Sequence, residues 1–185
     1  MVHWRLVMFS VVALLVGGCD ERPPATEPKA VPAVNQYQDE QVSFSYPKRW
    51  RVTDTFALMG MQTIMVEGSG DRLATVESRP TNLAPPLELY VAQASPQFRK
   101  QMAQLGLVSS SSYSAIERAA GAETIIGVEE RVTVTVLGLE FPYVREYYHV
   151  TGNNFGAYLS TQTSAKDQAK AEQEFAQIRN SLQVN

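Results

Sequence analysis

Few side chains in this 185-residue sequence are of the kind that does chemistry, and their spacing limits what they could do. There is one cysteine, Cys19, in the run Leu15-Val16-Gly17-Gly18-Cys19, and there are two histidines, His3 and His149. A thiol directly behind small residues and an apolar stretch is placed for modification at a processing site. With no second cysteine it cannot form a disulfide within the chain. His149 alone remains beyond the leader, so a two-histidine metal site is impossible and zinc would need carboxylates. A Ser-His-Asp arrangement lacks any Gly-x-Ser-x-Gly context. His149 stands two residues from Tyr147 on an expected strand, which suits cross-strand packing or a surface position. Gly68 and Gly70 have the first spacing of a dinucleotide fingerprint, but Leu73 stands where the third glycine is due. Met59, Met61 and Met65 bring soft thioethers close in sequence, a Cu(I) donor set in principle and flexible packing filler by the simpler reading. Glu129 and Glu130 are adjacent on an expected strand and point to opposite faces, so they make no acid/base dyad. Lys48, Arg49 and Arg51 surround Trp50, a basic and aromatic group that could touch anionic headgroups. The stronger reading puts Trp50 in the core with the cations solvated. No catalytic, cofactor-binding or metal-binding residue is assigned, and the chain reads as a non-enzyme.

The start of the chain gives Cys19 its meaning. Arg5 is followed by an apolar run over residues 6–16 broken only by Ser10, too short to span a hydrocarbon core of ~30 Å as a helix. Residues 1–18 therefore read as an export signal, and the sequence around Cys19 resembles the lipobox of bacterial lipoproteins. The resemblance implies a cysteine diacylated on sulfur, cleaved on its N-terminal side and acylated on the new amine, palmitate being one such acyl group. Two or three acyl chains, at about 0.8 kcal/mol per buried methylene, anchor stably where one would be marginal. Asp20 and Glu21 follow directly, and an Asp there resembles the inner-membrane retention signal of Gram-negative lipoproteins. The expected location is a membrane surface facing the periplasm.

Removing the leader takes Arg5 from the 16 basic residues and leaves 15 against 19 acidic, a net charge near −4. That balance argues against nucleic acid, which needs a basic stripe to displace counterions. Residues 19–37 read as a lipidated tether, with Pro23, Pro24, Pro28 and Pro32 among polar residues and no apolar period. Extended at roughly 3.1 Å per residue, it would reach on the order of 50 Å. Residues 38–185 are then one domain, with no internal repeat.

That domain opens on a period-two strand over residues 42–46, stopped by Pro47 and restarted at Trp50. Residues 62–67 and 73–78 read as a hairpin around Gly68-Ser69-Gly70-Asp71. A helical stretch over residues 87–105 contains Pro96, which predicts two pieces with Ser95 capping the second. Residues 113–119, 123–137, 140–150 and 155–162 form a β meander with turns at Gly138 and at Gly152-Asn153-Asn154. A closing helix is expected, with Ser164 and Asp167 as a weak capping box and Ala171, Phe175, Ile178 and Leu182 on one face. The pattern predicts an α+β fold, a mostly antiparallel sheet flanked by helices as an α/β/α sandwich.

The opening Val42-Ser43-Phe44-Ser45-Tyr46-Pro47-Lys48-Arg49-Trp50 resembles the strand, Tyr-Pro, two-residue, Trp entry of PsbP-like and DcrB-like domains. The ending is similar too: Tyr147-Tyr148, then Phe155-Gly156-Ala157-Tyr158-Leu159, then a helix with Phe175, Ile178 and Ser181-Leu182. The resemblance spans about residues 38–184. It implies a fold shared by photosystem-associated PsbP proteins, Ran-binding Mog proteins, DcrB lipoproteins and type VI secretion adaptors. Their common denominator is binding another protein, and no catalytic residue comes with it.

The expected function is a membrane-anchored, non-catalytic accessory protein of an envelope complex, its partners the membrane and an envelope protein. Two alternatives are a carrier or sensor of a small apolar ligand or lipid, which calls for a closed apolar pocket, and an immunity-type inhibitor, which calls for an acidic cleft.

Overall fold

The computed structural model describes residues 34–105 and 107–185. The expected leader, Cys19, Asp20, Glu21 and the tether as far as residue 33 lie outside the described residues.

Strands β1 (Val34–Gln38) and β2 (Val42–Pro47) pair with β10 (Gln183–Val184) in a three-stranded ribbon of order β1-β2-β10. The other strands are β3 (Arg51–Leu58), β4 (Met61–Glu67), β5 (Leu73–Pro80), β6 (Val108–Ala120), β7 (Glu123–Val136), β8 (Leu139–Thr151) and β9 (Phe155–Ser164). They form one seven-stranded sheet of order β3-β4-β5-β9-β8-β7-β6, every pairing antiparallel. Helix α1 (Leu87–Gln104) carries the chain across one face from β5, in mid-sheet, to β6 at the edge. Its 18 residues span about 27 Å, enough for the four strand spacings of ~4.8 Å it must cross. Helix α2 (Gln168–Ser181) and the ribbon cover the opposite face. The α+β, helix-flanked antiparallel architecture is thus as the residue pattern predicts.

Strand alternation sorts the core. Ile64, Val66, Val76 and Leu159 meet Phe175 and Ile178 of α2, all buried. On the other face Tyr147 and Tyr158 meet Tyr90 and Val91 of α1. The Tyr-Pro-x-x-Trp entry has a simple geometry. Pro47 ends β2, the Trp50 amide donates to the Pro47 carbonyl at 2.8 Å, and the indole packs edge-on against Phe175 at 5.6 Å. A Cβ on Gly68 would run into that indole, so the β4–β5 turn must present glycine there.

Three local expectations are corrected. Helix α1 is one helix with Pro96 inside it, not two, and Ser95 is no cap. An internal proline costs ~3 kcal/mol, and here Tyr90 and Val91 before it and the buried Ser95 hydroxyl beside it hold the helix to the sheet. Ser164 does not close a capping box: its hydroxyl donates to Asp167 at 3.0 Å, a 3-10 turn (Ala165–Asp167) intervenes, and α2 starts at Gln168. Strand β1 takes in residues 34–37 of the expected tether, because Tyr37 stacks on Phe44 with centroids 5.2 Å apart and the strand completes the ribbon.

Candidate functional site

Where α1 crosses the sheet it leaves a cleft of about 420 Å³, open to solvent. The sheet contributes Glu77, Arg79, Arg145 and Gln162; the helix contributes Tyr90, Gln93, Gln97, Phe98 and Gln101. Beneath it lies Glu130, fully buried on β7. The register set by the β7–β8 turn puts Glu130 opposite Arg145, and the β6–β7 turn puts it opposite Tyr113. Glu130 accepts from Tyr147 Oη at 2.6 Å, from Arg145 Nη1 at 3.3 Å and from the Ser95 hydroxyl. Arg99 Nη1 donates to Tyr113 Oη at 2.8 Å, which in turn lies 2.7 Å from Ser95 Oγ. One carboxylate therefore ties α1 to three strands.

The charges are settled by this packing. Burial pushes the Glu130 carboxyl up, but the Ser95 and Tyr147 hydrogen bonds and the Arg145 charge outweigh it and hold it below its ordinary value. Burial pushes Tyr90 up to about 12 despite Arg79 and Arg145 nearby. Burial likewise pushes the Tyr147 phenol far up, with Glu130 adding to it. Arg79 pairs with Glu77 and lies 5.3 Å from the Tyr158 ring centroid, while Arg145 sits 4.2 Å from that of Phe98. At neutral pH the carboxylate is ionised, the phenols are protonated and both guanidinium groups are paired. Such a site offers fixed hydrogen bonds and planar cations.

The opposite face carries a second charge lattice. Glu129 and Glu146 stand directly across from one another, both buried. Arg118 bridges them at 3.9 and 2.6 Å, Arg131 Nε reaches Glu129 at 2.8 Å, and Gln168 of α2 donates to it at 3.1 Å. Tyr148 donates to Glu146. Glu129 and Glu130 thus do face opposite ways, each with its own cationic partners.

The other candidates also find places. His149 stacks on Tyr158 with centroids 4.6 Å apart, and Tyr90 stacks on Tyr158 at 3.9 Å. Burial lowers its basicity and leaves Nε2 without a partner. It is a packing residue. Met59, Met61 and Met65 are not gathered: Met59 is the exposed tip of the β3–β4 turn, and Met61 and Met65 lie about 13 Å apart along β4. Trp50 is buried, while Lys48, Arg49 and Arg51 are exposed. Among the described residues no group of three or more His, Cys, Asp or Glu side chains could hold a metal ion.

The solution structure of cyanobacterial PsbP (CyanoP) from Synechocystis sp. PCC 6803 superposes with a TM-score of 0.52 at 13% identity, over 88% of this chain and 99% of that one. The fold is PsbP-like. Two crystal structures follow at lower similarity. One is a Bacteroides thetaiotaomicron VPI-5482 protein, with a TM-score of 0.45 and 14% identity over 78% of this chain and 45% of that one. The other is LpqN, involved in cell envelope biogenesis of Mycobacterium tuberculosis, with a TM-score of 0.43 and 11% identity over 83% of this chain and 91% of that one. No protein-family model matches the chain, and no curated protein matches its sequence. Glu130 and its partners were missed in the sequence because Ser95 is 35 residues away and Tyr147 is 17 away. The usable signal was the two-residue turn at Leu137-Gly138, which sets Glu130 opposite Arg145 by counting back along both strands.

Proposed function

We propose that this PsbP-like chain is a lipid-anchored, non-catalytic accessory protein of the cell envelope, and that it engages a protein partner through the cleft under α1. The observation that carries the reading is the state of that cleft. Its buried Glu130 is paired with Arg145 and its Glu77 with Arg79, its phenols are held protonated, and its rim presents the exposed amides Gln93, Gln97 and Gln101. Amide rims and stacked guanidinium groups suit peptide contact, where planar donors find backbone carbonyls and carboxylates. The carrier alternative calls for a closed apolar pocket, and this cleft is open and polar. The inhibitor alternative calls for an acidic one, and this cleft holds Arg79 and Arg145. The anchor is read from Cys19, with Asp20 and Glu21 favouring retention in the inner membrane.

Photocrosslinking in intact cells tests the cleft. A photoreactive side chain at Gln97 should capture one discrete envelope protein, and the same group at Asn153, in the β8–β9 turn outside the cleft, should not. Equal capture from both positions, or none from Gln97, removes the cleft from the reading. The anchor has its own check: the mass of the mature chain should show acyl groups on Cys19, and a mature chain with an unmodified Cys19 refutes lipidation.

A further inference from the structure

The seven-stranded sheet has two ends, and the described chain enters at one of them. Val34 pairs with Pro47, and Asn35 Nδ2 donates to the carbonyls of Lys48 and Trp50 at 3.3 Å each. Arg51 opens β3 opposite Glu67, where β4 runs into the β4–β5 turn. That turn's Asp71 lines a cleft together with Val136, Phe141 and Tyr143 of the β7–β8 hairpin. The chain entry, the exposed cations Lys48, Arg49 and Arg51, and the β7–β8 tip therefore share this end. The opposite end holds the β3–β4 tip, where Gln41 Nε2 donates to the Gly60 carbonyl at 3.3 Å.

The β7–β8 tip projects. Strand β9 stops pairing with β8 at Tyr143↔Ser164, so residues 139–142 run on for about 13 Å beyond it. Glu140 apart, the tip is apolar where solubility would favour polar residues: Leu137 is 99% exposed and Leu139 65%, and Glu140 faces the other way along β8 from Leu139 and Phe141. Cross-strand pairs Val136↔Leu139 and Val134↔Phe141 continue the apolar strip toward Phe98, Met102 and Leu107. Leu137 also has φ 50 and Gly138 φ 81, a type I′ geometry that favours Asn or Gly at the first position. A leucine there is strained as well as exposed, so neither turn geometry nor hydration accounts for it.

We infer that this end of the sheet rests on the bilayer, with the β7–β8 tip immersed in the interface of the membrane that holds the anchor. The inference rests on the anchor proposed at Cys19. The point of entry supports it, because the 14 residues between Cys19 and Val34, about 45 Å at full extension, join the domain at the end that carries the tip. Leucine and phenylalanine side chains partition into the headgroup–acyl boundary, and the exposed Lys48, Arg49 and Arg51, about 19 Å away along the same end of the sheet, face the same anionic headgroups. Lys48 and Arg49 form no ion pair among the described residues, whereas Arg51 has only a long contact to Glu67 at 3.8 Å. In this orientation the Met59 tip points away from the membrane, and the cleft under α1 stays open to the periplasm.

The test places a reporter at each end of the full chain, anchored in vesicles of phosphatidylethanolamine and phosphatidylglycerol with brominated acyl chains. After subtracting the emission of the parent chain, which carries Trp50, the tryptophan added in Leu139→Trp should be quenched several-fold relative to non-brominated vesicles, and the one added in Met59→Trp should be unaffected. No quenching at position 139, or equal quenching at both, overturns the inference. A second measurement needs no anchor. The exported Cys19→Ser chain should sediment with the same vesicles roughly tenfold more weakly once Leu137→Asn and Leu139→Asn are introduced. Its melting temperature should hold or rise, because asparagine suits the left-handed turn position. Unchanged sedimentation overturns the inference. If the chain is anchored but position 139 stays dry, the tip contact falls and the accessory reading stands. If Cys19 carries no lipid yet the tip still drives sedimentation, the anchor falls and the tip contact stands.

Discussion

Helix α2 buries Phe175 and Ile178 to 4% and 0% exposure in a core filled from β2, β4, β5 and β9. Helix α1 buries Tyr90 and Val91 near its start and Ser95 at its middle, then leaves Phe98 and Met102 half-covered above open clefts. Both helices cross the same sheet, yet one is held by apolar area along its length and the other by a hydrophobic start and one polar pin. An apolar seal is strong and leaves no room for a ligand. A polar pin holds a helix at one point and leaves the space on either side free. The second arrangement is what a binding cleft requires.

Matched truncations should break the symmetry between the faces most plainly. Phe175→Ala removes the ring that meets Trp50 edge-on and should cost about 3–5 kcal/mol in urea denaturation. Phe98→Ala, on the half-buried face, should cost about 1 kcal/mol. If the two losses are equal, α1 is as firmly seated as α2 and the cleft is no more than a surface groove.

Charge gives the next largest effect. Glu130→Gln keeps the volume but removes the ionic partner of Arg145 and turns one of the two oxygens, which accept separately from Ser95 and Tyr147, into a donor, a loss of about 2–3 kcal/mol. It should also change the pH profile. Because the folded carboxyl is held below its ordinary 4.5, its stabilisation is present above that value and fades as pH falls through the lower folded value. The acid limb of the variant should therefore be flatter than that of the parent. A parallel limb would show that Glu130 is not the carboxylate responsible.

Much of this comparison was legible in the residues. Alternation in residues 42–46 and 131–136 and the apolar spacing of Ala171, Phe175, Ile178 and Leu182 predicted which faces close. The split of Glu129 from Glu130 followed from strand geometry alone. What alternation could not show was whom each carboxylate would meet, since that depends on register across two hairpins. Proline preference also misled at Pro96, because its local penalty was set against a contact made 35 residues away by Ser95. The ribbon of β1, β2 and β10 was invisible for a similar reason: its third strand is two residues at the far end of the chain.

Ser95 offers a finer cut. Ser95→Ala leaves the helix sequence propensity almost intact but removes a buried donor to Glu130, which should cost about 1–2 kcal/mol. The local consequence should be larger than the global one. Amide exchange should quicken in the half of α1 after Pro96 and stay unchanged in α2. Uniform acceleration across both helices would mean that Ser95 contributes to the common core and pins nothing in particular.

The smallest expected effect belongs to His149, whose ring stacks on Tyr158 in the aromatic column under the start of α1. Burial holds its basicity below the ordinary value of 6.5, and Nε2 has no partner to stabilise a proton. Above pH 6.5 the imidazole is neutral whether the chain is folded or not, so it contributes no slope there. Below that value the unfolded chain takes up a proton that the folded chain resists, and stability declines as pH falls toward the folded value. His149→Leu should remove this decline just below pH 6.5 while leaving the Glu130 limb further down in place. Because Tyr158 also stacks on Tyr90, protonating His149 strains the apolar start of α1 and not its polar pin. Mild acid should therefore quicken amide exchange around Tyr90 before it does so around Ser95, and the reverse order would place the weak point of α1 at Pro96.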